Sequence, residues 1–127
     1  MKTREDIESY LLKMGANHED LGGDIWRIRE GAMENLLVSL AGPIVVFRLK
    51  IMDLPKTQRE ALYETLLRLN TTDLFHCAFG IEGNAVVLTG ALELENMDYN
   101  EFQAVIDDMS MAISRQYPLL SKFRAVA

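Results

Sequence analysis

The sequence predicts an α+β fold in the order α-β-β-β-α-β-β-α, with a five-stranded antiparallel sheet packed with helices. Three observations carry this expectation. Runs of two-residue alternation fill the middle of the chain and recur around position 80, and in a strand each parity lines one face. Apolar residues at i, i+3, i+4 and i+7 mark a helix at each end and one between. The links between successive strands are short, as antiparallel neighbours permit.

The elements follow in order. Thr3 to Met14 reads as a helix, with Thr3 and Asp6 placed as a capping box. Ile7, Tyr10, Leu11 and Met14 form its apolar stripe, and Gly15 and Asn17 end it. The stretch NHEDLGGD, Asn17 to Asp24, reads as a solvated turn. His18, Glu19, Asp20 and Asp24 invite a metal hypothesis, but the calcium-loop pattern is absent and one His among flexible carboxylates is a poor zinc set.

Three strands come next. Ile25–Glu30 turns Trp26 and Ile28 inward, and Asn35–Ala41 turns Leu36, Val38 and Leu40 inward. Ile44–Met52 turns Val45, Phe47, Leu49 and Ile51 inward. Pro55 to Asn70 reads as the second helix, striped by Leu62, Leu66 and Leu69 and widened by Tyr63 and Leu67. An apolar face this wide suits contact with both the sheet and a dimer partner. Asp73–Leu94 is a hairpin turning at Glu82-Gly83-Asn84, where Gly and Asn tolerate the positive φ of tight turns. Phe75, Cys77, Phe79 and Ile81 share one face of it, and Val86, Leu88, Leu92 and Leu94 share the other strand's, with Gly90 as a gap or bulge. The last helix opens at Asn96-Met97-Asp98 and carries Phe102, Val105, Ile106, Met109 and Ile113. It is expected to stop near Tyr117, because Pro118 disfavours helical backbone before it, leaving Leu119–Ala127 as a short tail.

At 127 residues the chain fits one domain, 1–127. A single cysteine, Cys77, excludes an internal disulfide framework and suits a reducing compartment. No apolar run approaches a membrane span and the first ten residues lack a secretory core, so the expectation is cytoplasmic with no membrane partner. Net charge is −6, and no Lys or Arg lies between Arg68 and Arg115. That segment holds Asp73, Glu82, Glu93, Glu95, Asp98, Glu101, Asp107 and Asp108 and repels phosphate backbones, which argues against nucleic acid. The acidity serves solubility or meets a basic folded partner, and in the second case the contact is Glu93, Glu95, Asp98, Glu101, Asp107 and Asp108.

No residues nominate themselves for catalysis or for a cofactor. His76 and Cys77 are strand neighbours and point to opposite faces, so they cannot pair as base and nucleophile. Cys77 is expected to be an inert thiol. Neither phosphate-binding nor dinucleotide-binding glycine patterns occur, nor the Gly-x-Ser-x-Gly elbow. Among seven methionines, Met52, Met97 and Met111 are candidates for exposure.

The outward parity of the sheet is unusually apolar, with Leu37, Ile44, Val46, Ala78, Val87 and Ala91. An exposed sheet face normally alternates to polar residues. The cover is one of the chain's own helices, its C-terminal tail, a subunit or a client. Arg27, Arg29, Arg48 and Lys50 fall on the same face.

The run VVFRLKIMDLP, the hairpin CAFGIEGNAVVL and the segment LENMDYNEFQAVIDDMSMAISRQYP resemble the YbjN family, which sits with the CesT/Tir-type class I chaperones of type III secretion. The resemblance covers Ile7 to Phe123. It implies a curved antiparallel sheet covered by helices, a homodimer, and an acidic protein holding an extended stretch of a client. On that footing the expected function is non-enzymatic protein binding, with a client lying along the apolar surface or adding to a sheet edge, Leu37, Ile44, Val46 and Val87 as apolar contacts and Arg48 and Lys50 as steering charges. The alternatives are a regulatory dimer using the acidic segment and an enzyme with a site across the dimer.

Overall fold

The computed structural model describes residues 2–124. Its elements are α1 (Arg4–Met14), β1 (Asn17–Gly22), β2 (Ile25–Glu30), β3 (Met33–Ala41), β4 (Ile44–Asp53), α2 (Arg59–Thr72), β5 (Ala78–Glu82), β6 (Ala85–Glu93) and α3 (Tyr99–Arg124). The strands form one antiparallel sheet of six in the order β1-β2-β3-β4-β6-β5. The α+β class and the helix count hold; the five-strand count does not.

The extra strand is β1, where a turn is expected. It pairs with β2 from Asn17↔Arg29 to Gly22↔Ile25, with a register shift between Asp20 and Gly22. Gly23 and Asp24 make the two-residue turn, both at positive φ (62° and 60°), as the right-handed twist of a tight hairpin prefers. The side chains of β1 are almost all exposed, so there is no alternation to betray it.

The core lies between one sheet face and the helices. Trp26, Ile28, Leu36, Val38, Val45, Phe47 and Leu88 meet Ile7 and Leu11 of α1 and Phe102, Val105, Ile106 and Met109 of α3. Leu62 and Leu66 of α2 join the same cluster beside Phe79 of β5. Thr3 caps α1, and its N–H donates to the Asp6 carboxylate at 2.7 Å. α3 opens on a reciprocal box: Asp98 Oδ1 accepts from the Glu101 N–H at 2.7 Å, and Glu101 Oε1 accepts from the Asp98 N–H at 3.2 Å.

Five further expectations are corrected. α3 runs through Pro118 to Arg124. The ring of Pro118 is on the solvent side, and burial of Leu120 beyond it offsets the roughly 3 kcal/mol that a mid-helix proline costs. Residues Leu119–Arg124 of the expected tail are therefore helical, while 125–127 lie outside the described residues. α2 begins at Arg59, with Pro55 buried ahead of it and its carbonyl accepting from Arg59 Nε at 2.6 Å. β5 begins only at Ala78, so Phe75 is 81% exposed on the preceding loop, and Ile81 near the hairpin turn is also exposed. A register shift between Lys50 and Met52 turns Met52 inward and leaves Ile51 half-buried. Met97 is buried as well, and only Met111 of the three flagged methionines is exposed.

Gly90 is a gap and not a bulge. It pairs regularly with Phe47, and a Cβ there would come within 2.9 Å of the His76 carbonyl and 3.1 Å of Val105.

Candidate functional site

The sheet face opposite the helices is built from the other parity of the same strands. Across it, register sets Arg27 beside Leu37, Leu37 beside Arg48, and Arg48 beside Thr89 in one row. Lys50 pairs with Val87 in a neighbouring row, and Ser39, Val46 and Ala91 form another. Leu37, Ile44 and Val46 are half-buried, and Arg48, Lys50, Ala78 and Ala91 are exposed. Val87 is only 6% exposed yet does not belong to the core cluster, so its screening comes from neighbours on this outer face.

A groove of about 440 Å³ crosses this face, and every strand contributes to its wall: Leu21 of β1, Arg27 of β2, Leu37 of β3, Arg48 and Lys50 of β4, Val87 of β6 and Glu82 of β5. Four of the six residues singled out from sequence for apolar contact or steering line it, namely Leu37, Arg48, Lys50 and Val87. Val46 continues the surface past one end, and Ile44 lies farther out, paired with Glu93 at the strand terminus. Leu21 was missed because β1 was.

The cations of the groove have partners within the chain. Arg48 pairs with Glu82 at 3.0 Å, Lys50 with Asp53 at 2.8 Å, and Arg27 with Glu19. All are at least a third exposed, which makes each pair weak and readily exchanged for a carboxylate on another molecule. A second cleft, of about 300 Å³, lies between β3–β4 and the end of α3. Leu49, Ile51, Ile113, Tyr117, Leu120 and Arg124 line it, and Asn35 and Lys50 belong to both this cleft and the groove. Its far wall, Leu120 and Arg124, lies on the turns of α3 beyond Pro118, where the sequence predicts no helix.

The two edges of the sheet are guarded. At β5, the side-chain amide of Asn70 accepts from the Phe79 N–H at 2.7 Å and donates to the Phe79 carbonyl at 3.1 Å, filling the place of a next strand. At β1, the edge is bulged and carries Glu19 and Asp20. Bulges and charges both discourage strand addition.

The acidic segment is largely committed inside the molecule. Asp108 Oδ2 accepts from the N–H groups of Phe75 at 3.2 Å and His76 at 2.8 Å and from Cys77 Sγ at 3.3 Å. Asp73 accepts from buried Gln116 at 2.7 Å, and Glu93 from Asn96 at 3.0 Å. With Asp98 and Glu101 in the cap of α3 and Glu82 on Arg48, Glu95 and Asp107 are left without such bonds among the described residues.

Cys77 is half-buried, and burial first, then the hydrogen bond to Asp108, push its thiol pKa far upward. A thiol held protonated is a poor nucleophile. Around the first hairpin, Arg4 binds Asp20 at 3.1 Å and Asp24 at 2.9 Å. The Gly22 N–H and then Arg4 hold the Asp20 carboxyl below its ordinary pKa. Among the described residues no three His, Cys, Asp or Glu side chains converge on a metal position. No described helix is long and apolar enough to cross a membrane.

Two solved structures share this architecture. YbjN from E. coli, proposed to be a transcription regulator, superposes with a TM-score of 0.70 at 12% identity, over 94% of this chain and 97% of that one. A chain of the heterodimeric ExoU–SpcU complex from the type III secretion system of Pseudomonas aeruginosa superposes with a TM-score of 0.73 at 16% identity, over 89% of this chain and 96% of its own. At such identities the likeness is one of fold. No curated protein matches the sequence. The family model CesT_Tir_1 matches residues 1–125, and the chain belongs to that family.

Proposed function

We propose that this protein is a chaperone-like binding module that acts as a homodimer, holds an extended segment of a client polypeptide in its outer groove, and catalyses no reaction. The observation that carries the reading is the groove itself: a half-apolar channel across all six strands, on the face that the helices leave open. An extended chain offers alternating side chains, which suits a surface of alternating apolar and charged rows. Membership in the CesT_Tir_1 family and the fold shared with a chain of the ExoU–SpcU complex support it.

Face binding is favoured over strand addition because Asn70 occupies one edge and the bulge and charges of β1 guard the other. It is favoured over an acidic contact because four of that contact's six carboxylates, those of Glu93, Asp98, Glu101 and Asp108, already accept hydrogen bonds within the chain, three of them from backbone N–H groups. The test is suppression of aggregation of a chemically unfolded model protein. The wild type is expected to suppress it, and Leu37→Glu to lose the effect by about tenfold in concentration while its unfolding midpoint moves little. No suppression by the wild type, or equal suppression by both, overturns the reading.

A further inference from the structure

The charge of the outer groove runs against that of the whole chain. The protein has 13 Lys and Arg against 19 Asp and Glu. Among the described residues, the groove wall sets Arg27, Arg48 and Lys50 against Glu82 alone. Arg29, two residues from Arg27 on β2, is exposed and forms no ion pair among the described residues. Each of the three groove cations is held by a carboxylate of its own chain: Arg27 by Glu19, Arg48 by Glu82 and Lys50 by Asp53. Those three carboxylates are all more than half exposed, so they can swing into water and free a cation at little cost.

Spacing limits what can replace them. Leu37 lies between Arg27 and Arg48 in one row across three neighbouring strands, which puts the two arginine backbones about 10 Å apart. An extended chain laid along that row turns every second side chain to the sheet, at intervals of about 7 Å. An aliphatic side chain over Leu37 then has neighbours two residues before and after it within reach of the two arginines. Carboxylates at those two places complete the match. Among the described residues no aromatic side chain lines the groove to stack a base, so a polypeptide suits it better than a single-stranded nucleic acid. We propose that the groove selects extended segments of the pattern acidic-x-aliphatic-x-acidic, and that Glu19, Glu82 and Asp53 are placeholders displaced by the client's carboxylates. This inference rests on the reading of the groove as a client site and names the client's chemistry. Exposed ion pairs add little affinity, so the charges choose among clients while the apolar contacts hold them.

The test is fluorescence anisotropy with short labelled peptides that share an aliphatic centre and carry Glu, Gln or Lys at the two flanking places. At low salt the Glu peptide is expected to bind about tenfold tighter than the Gln peptide, with the Lys peptide weakest, and the gap to close to about twofold at about 0.5 M salt. Glu82→Gln frees Arg48 and is expected to tighten the Glu peptide about threefold, and Arg48→Glu to reverse the order of the Glu and Lys peptides. Equal binding of the Glu and Gln peptides, lost for both in Leu37→Glu, overturns the acidic preference and leaves groove binding standing. Unchanged or weaker binding of the Glu peptide to Glu82→Gln overturns the placeholder role. Displacement of the labelled Glu peptide by less oligothymidylate than unlabelled Glu peptide overturns the choice of a polypeptide. No binding of any peptide overturns this inference, while groove binding itself is judged separately by aggregation suppression.

Discussion

Val46 and Phe47 are neighbours on β4 and meet different surroundings. Phe47 is fully buried, with its ring centroid 5.5 Å from that of Phe102 on α3. Val46 is half-buried between Ser39 and Ala91, with no helix over it. The same backbone therefore serves two purposes. The inner parity buys stability, and the outer parity keeps an apolar surface wet that would otherwise be polar. A face held open in this way is informative because a monomer gains nothing from it.

The contrast can be broken by substitution. Phe47→Ala is expected to destabilise the fold by about 3–5 kcal/mol in denaturant unfolding, since it removes a buried aromatic and leaves a cavity. Val46→Ala, one residue away, is expected to cost about 1 kcal/mol or less. Similar losses at both positions would mean that the outer face is sealed in solution. Asp108→Ala comes next in size. It leaves the Phe75 and His76 N–H groups and the Cys77 thiol without their acceptor, at a cost of about 1–3 kcal/mol, with faster hydrogen exchange at those two amides. Asn70→Ala is expected to cost about 1 kcal/mol and to speed exchange at Phe79, and unchanged exchange there would remove the edge-guarding role.

The smallest effect is pH-dependent. Because the folded-state pKa of Asp20 is depressed, its contribution is present above the unfolded carboxylate range and fades as pH falls through the lower folded value. The melting temperature of Asp20→Asn should lie below that of the wild type at neutral pH, and the two should converge in strong acid. A gap that persists unchanged in acid would contradict the ionic tie between α1 and the first hairpin.

The part of this architecture legible in sequence is the part that buries side chains on one face. Trp26 and Ile28, Val45 and Phe47, and Phe102 with Val105 and Ile106 all announce their parity or helical spacing, and all are in the core. β1 was illegible because its residues face water on both sides, so the only local signal was the Gly23-Asp24 turn between Leu21 and Ile25. The last turns of α3 were hidden by Pro118, whose local preference yields to the tertiary burial of Leu120. For the groove, sequence parity placed Leu37, Arg48, Lys50 and Val87 on one surface. It could not place Leu21, nor foresee that Glu82 and Asp53 would turn back onto the cations, because those contacts depend on strand order. The same holds for the acidic segment: its charge was visible, but the engagement of Asp108 with the Phe75–Cys77 loop arises only when α3 meets the start of β5.

The most direct measurement is an amide chemical-shift map recorded while an unfolded, extended polypeptide is titrated into the protein. The account predicts shifts along Arg27, Leu37, Arg48, Lys50 and Val87, running across the strands, with α1 and the solvent side of α3 unmoved. Shifts confined to the α3 surface around Asp107, or no shifts at saturating polypeptide, would contradict it.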